Sequence, residues 1–541
     1  MGQFYSKLKV PRLTVVLASL VLLIFVVIYQ KNGNQNVTIE MINSSNNAET
    51  SATVELQDGE IFDLDAELVT KKLYGLELSM LGYNGSIPGP TIKVKQGSTV
   101  TLHFTNNTPF ENTIHSHGVR MDNAFDGIPN VTQAPVQPGE SFDYILTFPD
   151  PGVYWYHPHM REDLTQELGL YGAFVVEPIE RGYWNEVNQE QLIFLDDLLL
   201  TEGGLESFYS DEITHTLMGR YGNAFLTNGE EQLELEVMKN EIVRFTLINV
   251  ANARPFNFEL AGMSLKLVGS DGGAYEQETF VDSIIIGPSE RYIFEAYFDE
   301  PGDYELQNVT PSGSTKLGII HVLEEETQND LGKAFTELRE NSHIQNFIPN
   351  LANYYSKEAD KKLRLNIGMG MMGGGGMMDH GMTGMPCHQM GDGSWMGDCE
   401  ATKDELSGIE WEDSMSMMNA MMNDDSVEWQ IIDEVTGDIN DEIEWDFDLD
   451  EFVVIEIKND ENSDHPMQHP IHFHGQRFVI LEEDGTQNTN LVWKDTVMIP
   501  TGATYKILLE VSNPGQWMAH CHIAEHLHNG MMFMFGVELN P

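Results

Sequence analysis

The amino-acid sequence predicts an all-β protein of three tandem Greek-key β-sandwich domains, with a membrane-spanning helix before them and a methionine-rich insert in the third. Three observations support this fold class. One turn-and-strand pattern occurs three times, apolar and polar residues alternate with period two, and one unusual block accounts for the longer third repeat. With 541 residues, 41% of them hydrophobic, the chain is long enough for several domains with ordinary cores.

The repeated pattern consists of a turn, an alternating strand, a Pro-Gly turn and an aromatic strand. Its three Pro-Gly turns are Pro151-Gly152, Pro301-Gly302 and Pro514-Gly515. The first and second turns are 150 residues apart, whereas the second and third are 213 residues apart. The difference is close to the length of one block, residues 368–425, so removing this block leaves three units of similar size.

Alternating runs such as Thr91–Lys95 and Gly97–Leu102 indicate strands that bury one face in a sandwich. A short helix is expected in the connector between the second and third units, within Asp330–Glu340. The predicted boundaries are 51–180 for domain 1, 181–325 for domain 2, 326–360 for the connector and 361–541 for domain 3, with the insert at 368–425.

The N-terminal segment is typical of an uncleaved signal anchor. Basic residues precede an apolar stretch, residues 13–30, which is long enough for a bilayer crossing of about 17–25 residues. Because positive charge stays on the cytoplasmic side, residues 1–12 are expected in the cytoplasm, and the linker 31–50 and all three domains outside it. The expected location is therefore the cell membrane, in a single pass with the domains periplasmic or extracellular; cleavage of the segment would give a secreted protein.

The charge of the chain excludes one class of partner. A formal net charge of −56 is opposite to the basic surface that nucleic-acid binding requires, so no nucleic-acid partner is expected. An acidic surface concentrates cations instead. Adaptation to a salty medium, or solubility alone, is the simpler explanation of the charge.

Four histidine motifs lie in the first and third units, and they carry the chemistry. Alternate residues of a strand point to the same face, so each His-x-His pair can offer two imidazoles to one region. A single pair would be read as surface histidines, whereas four motifs at equivalent points of repeated units indicate shared metal sites. The motifs are His115-Ser116-His117, His157-Pro158-His159, His469-Pro470-Ile471-His472-Phe473-His474, and His520-Cys521-His522 followed by His526 and Met531.

Cys521 is the most informative of these residues. Imidazole and thiolate ligands together select copper, and two histidines with one cysteine and a weak axial methionine form a blue-copper site. Eight further histidines in the motifs exceed what one metal needs. They suit a cluster of several copper ions at which a small oxidant such as O₂ binds.

From about residue 50 onward, these motifs resemble those of the three-domain multicopper oxidases, which are built from cupredoxin domains and include laccases and bacterial copper-efflux oxidases. The resemblance implies four copper ions, named types 1, 2 and 3. It assigns the type 1 copper to His469, Cys521, His526 and axial Met531, the type 2 copper to His115 and His472, and the type 3 pair to His117, His157, His159, His474, His520 and His522.

The resemblance also implies a reaction. A substrate would lose single electrons at the type 1 copper, at a solvent-facing edge of His469 or His526. The electrons would pass through Cys521 to His520 and His522, and O₂ would be reduced to water at the other three coppers. An axial methionine is expected to lower the type 1 potential, which favours easily oxidised substrates.

Proton delivery to O₂ requires an acid near the cluster. Asp126 matches the family's carboxylate, although the residues alone fit a plain Asp-Gly turn equally well. Several bacterial members carry a second acid directly after the last type 1 histidine, where this chain has Leu527. The neighbouring Glu525 is expected to point elsewhere, so the second acid is not identified.

The insert 368–425 holds 14 of the chain's 28 methionines, together with two histidines and two cysteines. Thioethers suit Cu(I), which predicts additional Cu(I) binding here, and a loop without any ligand is the alternative. The spacing of Met415, Met417, Met418, Met421 and Met422 predicts a short helix. Cys387 and Cys399 would either form a disulfide or bind copper.

These observations lead to three hypotheses about function. The first is a membrane-anchored cuprous oxidase serving copper tolerance, with O₂ as the acceptor and laccase-like oxidation of small phenols. The second is oxidation of another metal ion, Fe(II) or Mn(II). The third is a copper-sequestering protein in which the methionine block does the biological work.

Overall fold

Strands dominate the computed structural model, which describes residues 46–208, 212–369, 388–389, 395–396, 407–413 and 427–539. The strands fall into three successive groups, spanning 53–177, 189–326 and 361–538, and each group forms two main sheets. The all-β class is therefore as predicted. The domain boundaries near 180, 325 and 360 stay predictions, and each lies between strands.

Domain 1 consists of strands and one short helix, which are β1 (Thr53–Glu55), β2 (Ile61–Leu73), β3 (Leu76–Tyr83), β4 (Thr91–Lys95), β5 (Thr99–Asn106), β6 (Ile114–Ser116), β7 (Ser141–Thr147), β8 (Gly152–Pro158), α1 (Glu162–Thr165) and β9 (Gly172–Glu177). A four-stranded sheet, β3-β2-β5-β7, packs on a five-stranded sheet, β1-β4-β9-β8-β6. Phe104 of the first sheet and Phe174 of the second meet in one buried cluster. Buried and half-exposed residues alternate along β5, as the period-two pattern predicts.

Domain 2 comprises β10 (Gln189–Leu198), β11 (Leu200–Thr201), β12 (Gly204–Leu205), α2 (Glu212–Met218), β13 (Ala224–Thr227), β14 (Leu233–Lys239), β15 (Glu241–Asn249), β16 (Phe256–Leu260), β17 (Leu265–Ser270), β18 (Gly273–Val281), β19 (Ile284–Ile286), β20 (Arg291–Phe298), β21 (Gly302–Thr310) and β22 (Gly313–Glu326). The sheets β13-β10-β15-β20-β17-β18 and β14-β22-β21-β16-β19 enclose its core. Phe245 stacks on Phe294 there, with ring centroids 5.1 Å apart. The connector that follows forms three short helices, α3 (Gly332–Phe335), α4 (His343–Phe347) and α5 (Leu351–Ser356).

Domain 3 comprises β23 (Lys361–Met369), β24 (His388–Gln389), β25 (Trp395–Met396), β26 (Val427–Asp433), β27 (Trp445–Asp448), β28 (Glu451–Asn459), β29 (His469–Phe473), β30 (Arg477–Glu483), β31 (Thr486–Gln487), β32 (Thr496–Ile499), β33 (Thr504–Val511), β34 (Gly515–Cys521), α6 (Ala524–His528) and β35 (Met532–Glu538). Its main sheets are β26-β23-β28-β33-β30-β31 and β27-β35-β34-β29-β32. Strands β23 and β26 pair antiparallel, with Met369 opposite Val427. The predicted insert therefore joins two neighbouring strands, and its first two residues belong to β23.

The three Pro-Gly repeats occupy equivalent places in the three domains. Gly152, Gly302 and Gly515 begin β8, β21 and β34, with φ angles of 157°, 150° and 140°. These φ values are readily adopted only by glycine, which explains why each repeat has one at the turn. In each domain the strand before this turn is the alternating strand of the repeat, namely β7, β20 or β33.

Some predictions lie outside the described residues: the anchor at 13–30, the pairing of Cys387 with Cys399, and the helix over Met415–Met422. Among the residues that the structure does describe, no helix is both long and apolar enough to cross a bilayer.

Candidate metal centres

Pairing within the sheets brings the histidine motifs into register. In domain 1, His115 on β6 lies directly opposite His157 on β8. In domain 3, His472 on β29 lies directly opposite His520 on β34. The two strand pairs meet at the interface of domains 1 and 3, so neither domain holds the centre alone.

Eight histidines form three groups at this interface, and each group draws on both domains. Within each group the Nε2 atoms face one another at short distances: 2.9 Å for His117 and His157, 3.0 Å for His117 and His522, 3.0 Å for His474 and His520, and 3.3 Å for His115 and His472. His159 joins His474 and His520, with ligand atoms within 4.8 Å of one another. The structure thus gathers all the residues predicted for the type 2 and type 3 coppers.

Hydrogen bonds on the far side of the rings fix where the lone pairs point. His474 Nδ1 lies 3.0 Å from Asp126 Oδ2, and His520 Nδ1 lies 2.8 Å from the Cys521 carbonyl oxygen. Each Nδ1 must carry the proton to donate to these acceptors, so each neutral ring has a bare Nε2. Two lone pairs then face each other at 3.0 Å, an arrangement that a bound cation would stabilise.

The same pattern holds for the second pair of imidazoles. His115 Nδ1 donates to the Asp126 carbonyl oxygen at 2.8 Å, and His472 Nδ1 donates to the Asp495 carbonyl oxygen at 2.9 Å. Their Nε2 atoms are therefore bare as well. The donor set consists of imidazoles whose second nitrogens are held by carbonyl or carboxylate groups, which is how copper-binding histidines are arranged.

Burial keeps most of these rings neutral. It is the main cause that holds the pKa well below the ordinary 6.5, and neighbouring imidazoles add to it, for His117, His157, His474, His520 and His522. His159 differs, because the Glu162 carboxylate outweighs burial and raises its pKa. Neutral imidazole is the form that binds a metal.

A separate centre lies inside domain 3. His469 Nδ1 and His526 Nδ1 are each 3.6 Å from Cys521 Sγ, and all three residues are buried. Met531 is buried beside them, since its carbonyl oxygen accepts the Cys521 N–H and its own N–H donates to the His526 carbonyl oxygen. The predicted type 1 residues thus come together as a set.

The two centres are joined through the backbone. Cys521 belongs to the type 1 set, while its neighbours His520 and His522 belong to two different histidine groups. An electron at the Cys521 sulfur therefore has a short covalent route to the cluster on either side.

The prediction that His469 or His526 has a solvent-facing edge is wrong. His469 is 1% exposed and His526 is fully buried. The Trp429 indole stacks on His526 at 4.1 Å, and His526 Nε2 donates to the carbonyl oxygen of Leu217 in α2. Sequence patterns within domain 3 could not predict this, because α2 comes from domain 2.

The sequence also failed to reveal Asp495 and Arg291. Asp495 Oδ1 lies 3.4 Å from His117 Nδ1 and accepts from Arg291 Nη1 at 2.8 Å. Burial alone would raise the pKa of Asp495, but the Arg291 guanidinium holds it well below the ordinary value. The available signal was the pair Lys494-Asp495 directly before the apolar strand β32, since charged residues are rarely buried unless they are paired.

A second unforeseen acid contacts the cluster. Glu162 Oε1 in α1 lies 3.0 Å from His159 Nδ1, and Glu162 Oε2 lies 3.3 Å from His528 Nε2. Burial would raise the pKa of Glu162, but these two imidazoles lower it well below the ordinary value. Glu525 instead is buried with Oε2 unpartnered among the described residues, and burial raises its pKa to about 7.

The contact of His528 with Glu162 and Asp163 depends on pH. Burial lowers its pKa, but Asp163 and Glu162 outweigh burial and raise it to about 10. A raised pKa means that the ion pair stabilises the fold fully below pH 6.5 and is lost as the pH rises through about 10. We expect His528→Gln to lower the melting temperature at pH 6 and to match the unmodified protein above pH 10.

Differential scanning calorimetry at both pH values measures this effect. His343→Gln is the matched control, because His343 is 55% exposed and lies 3.8 Å from an exposed glutamate. Equal losses for His528→Gln at pH 6 and above pH 10 would contradict the ion pair.

Known proteins share this sequence organisation. Three domain families, each described as multicopper oxidase, match residues 68–181, 201–325 and 411–540. The multicopper oxidase mco of Staphylococcus aureus is 25% identical over 501 residues, covering 90% of this chain and 88% of that protein. Laccase-7 of Arabidopsis thaliana is 23% identical, covering 85% and 88%.

Solved structures share the fold. A laccase-like multicopper oxidase, CueO, from Ochrobactrum sp. superposes with a TM-score of 0.68 at 22% identity, covering 91% of this chain and all of that one. A multicopper oxidase of Campylobacter jejuni, described as a metallo-oxidase, gives 0.65 at 21% identity, covering 94% and 99%. The cupredoxin-like all-β fold is thereby confirmed, and the chain belongs to the multicopper oxidase family, whose members are copper-dependent oxidoreductases.

Proposed function

We propose that this oxidase takes its electrons mainly from Cu(I), passes them to O₂ through four bound coppers, and oxidises small phenols as a secondary activity. The covered type 1 site is the observation that carries the proposal. Trp429, Leu217 and the backbone of α2 lie over His526, so a phenol ring has no open imidazole edge to contact. A single metal ion needs much less room than a ring.

The attachment of the insert supports the same conclusion. The insert leaves β23 at Met369 and returns at Val427, two residues before Trp429. Between these points, the Glu410 N–H donates to Gln468 Oε1 at 2.7 Å, and Gln468 is adjacent to the type 1 ligand His469. Residues 407–413 of the insert thus lie beside the type 1 centre, which supports delivery of Cu(I) by the thioethers of the same insert.

Side chains of this protein link the two centres and hold their ligands in position. When bound, copper supplies the one-electron transfers and the reduction of O₂. Cys521 links the centres, and the buried carboxylates Asp126, Asp495 and Glu162 hold the second nitrogens of His474, His117 and His159. Asp126 Oδ1 makes no hydrogen bond among the described residues and lies 3.2 Å from His115 Nδ1 at the edge of the cluster, which supports a role for this carboxylate in proton delivery to O₂.

We expect Asp126→Asn to lower the rate of O₂ reduction by about 10²-fold or more, because a buried amide cannot supply the proton. His474 would keep its hydrogen-bond acceptor, so the copper content should stay the same. Measurements of O₂ uptake and of copper per chain check this expectation. Asp122→Asn is the control, since Asp122 only accepts the Ala124 N–H in the same turn. Equal rates for the two variants would rule out a proton role for Asp126.

Fe(II) and Mn(II) are the alternative electron donors of the second hypothesis, and copper sequestration is the third hypothesis. O₂ uptake with Cu(I), Fe(II), Mn(II) and a phenol separates them, on the intact protein and on a variant with every methionine from 370 to 425 changed to leucine. We expect the variant to lose most Cu(I) oxidation while phenol oxidation is kept or raised. O₂ uptake with Fe(II) or Mn(II) alone would favour oxidation of another metal ion. No O₂ uptake with any electron donor would leave only copper sequestration.

We also propose that residues 13–30 anchor the enzyme in the membrane, with the domains on the extracytoplasmic side. The basic residues before this apolar stretch support that orientation. Mass spectrometry of protein extracted from membranes should show the full-length chain. A mass lacking the first 30 or so residues would indicate a cleaved signal and a secreted enzyme.

A further inference from the structure

A cleft between domains 2 and 3 lies outside both metal centres. Its main cavity has a volume of about 510 Å³. A second cavity of about 240 Å³ adjoins it and shares the walls formed by Tyr275, Tyr292 and Ile480. Among the residues that line the two cavities, none is a predicted copper ligand. Sites for small molecules usually enclose about 300–1,000 Å³, so the main cavity is large enough for one.

Both domains contribute aromatic and apolar walls to the main cavity. Tyr275 of β18 and Tyr292 of β20 lie on the domain 2 side, and Tyr505 of β33 lies on the domain 3 side. Val497 and Met498 of β32 add an apolar surface beside them. Tyrosine rings and aliphatic side chains on facing walls suit an occupant that carries an aromatic ring.

The charged side chains that line the main cavity are all negative among the described residues. Glu290 is 3% exposed, whereas Glu483 and Asp484 are exposed at the rim. The smaller cavity adds one basic residue, Lys494, which pairs with Glu290 at 3.2 Å. The lining of the cleft therefore has three carboxylates and one ammonium group, and this excess of negative charge favours a cation.

An organic cation fits the cleft better than a metal ion does. Among the described residues, the carboxylates of the cleft do not form a group whose ligand atoms lie within 4.8 Å of one another, as the predicted copper ligands do. The Lys494 Nζ lies 4.7 Å from the centroid of the Tyr292 ring, so a cation–π contact already occurs at this wall.

We propose that the cleft between domains 2 and 3 binds a small aromatic ammonium ion. The ammonium group contacts Glu483 and the tyrosine rings, and the aromatic ring lies against Val497 and Met498. The carboxylates select the positive charge, and the apolar walls select the ring. This inference goes beyond the proposed function and does not depend on it, because binding requires neither Cu(I) nor electron transfer.

Para-bromophenethylammonium is the probe for this site. Its alkylamine is a cation at pH 7, as the lysine side chain is. We expect the copper-loaded, full-length enzyme to bind one probe ion per chain in a calorimetric titration at pH 7. Crystals soaked with the probe should show a bromine anomalous-scattering peak inside the cleft. Para-bromophenethyl alcohol has the same shape without the charge, and it should bind at least about tenfold more weakly.

Glu483→Gln should weaken binding of the ammonium probe about tenfold and change binding of the alcohol by less than about twofold. Because Glu483 is exposed at the rim, the variant should keep the melting temperature of the unmodified protein. Glu482→Gln is the matched control for charge. Glu482 is the adjacent residue, pairs with Lys506 at 3.5 Å and lines neither cavity.

Three results would overturn the site. Equal affinities for the ammonium probe and the alcohol would contradict recognition of the charge. Bromine density outside the cleft would contradict the location, and equal losses for Glu483→Gln and Glu482→Gln would indicate general attraction to an acidic protein. None of these measurements uses Cu(I) or O₂, so a failure of the site leaves the proposed oxidase function standing, and the reverse also holds.

Discussion

Changing Cys521 to serine should remove the type 1 copper and lower O₂ uptake with every reductant by at least about 1000-fold, or ~4 kcal/mol of barrier. Cys521 is the only cysteine near either centre among the described residues, and serine does not bind copper in its place. The route from donor to cluster would also be cut, because Cys521 is the residue shared by the two centres.

Copper analysis and spectroscopy check this result. The copper content should fall from four per chain to three, and the strong thiolate-to-copper absorption should disappear. The electron paramagnetic resonance signal of the type 2 copper should remain, since His115 and His472 are unchanged, and this signal serves as the control for folding. A serine variant that stays blue, or that still consumes O₂ at a comparable rate, would contradict the assignment.

Replacing Arg291 by methionine should destabilise the protein by about 3–5 kcal/mol. The guanidinium is fully buried and pairs with Asp495 in domain 3, while its Nε donates to the Val153 carbonyl oxygen in domain 1 at 3.1 Å. Its removal would leave a buried carboxylate without its main counter-charge. Domain 2 provides no predicted copper ligand, yet through Arg291 it positions Asp495 against His117.

Urea unfolding of the copper-loaded protein at pH 7 measures the loss. Lys316→Met is the control, because Lys316 forms a half-exposed pair with Glu305 and should cost below about 1 kcal/mol. The pKa of Asp495 is lowered in the folded protein, so the pair stabilises the fold above about pH 4 and less as the pH falls further. Similar losses for the two variants would contradict the role of Arg291.

The sequence was sufficient to identify residues that the structure brings together, because they are concentrated in short motifs on strands. His115 and His157 are opposed on β6 and β8, and His472 and His520 on β29 and β34, so a His-x-His motif and strand pairing together determine the cluster. The Pro-Gly repeats predicted the sandwich fold for a similar reason, since each glycine adopts the same unusual φ at the same turn.

Residues that act across domain interfaces could not be predicted this way. Arg291 and Asp495 are 204 positions apart, and no local pattern relates them. The burial of His526 likewise depends on α2 of domain 2. Each contact depends on the relative placement of domains, which sequence periodicity does not specify.

The stoichiometry of Cu(I) oxidation tests the central claim most directly. Anaerobic Cu(I) is added to the copper-loaded enzyme in buffer of known O₂ content, and Cys521→Ser provides the background of uncatalysed oxidation. The proposal predicts that four Cu(I) are consumed per O₂, without hydrogen peroxide, and that kcat/KM for Cu(I) exceeds that for phenols. Uptake no faster than with Cys521→Ser, or two Cu(I) per O₂ with peroxide released, would contradict it.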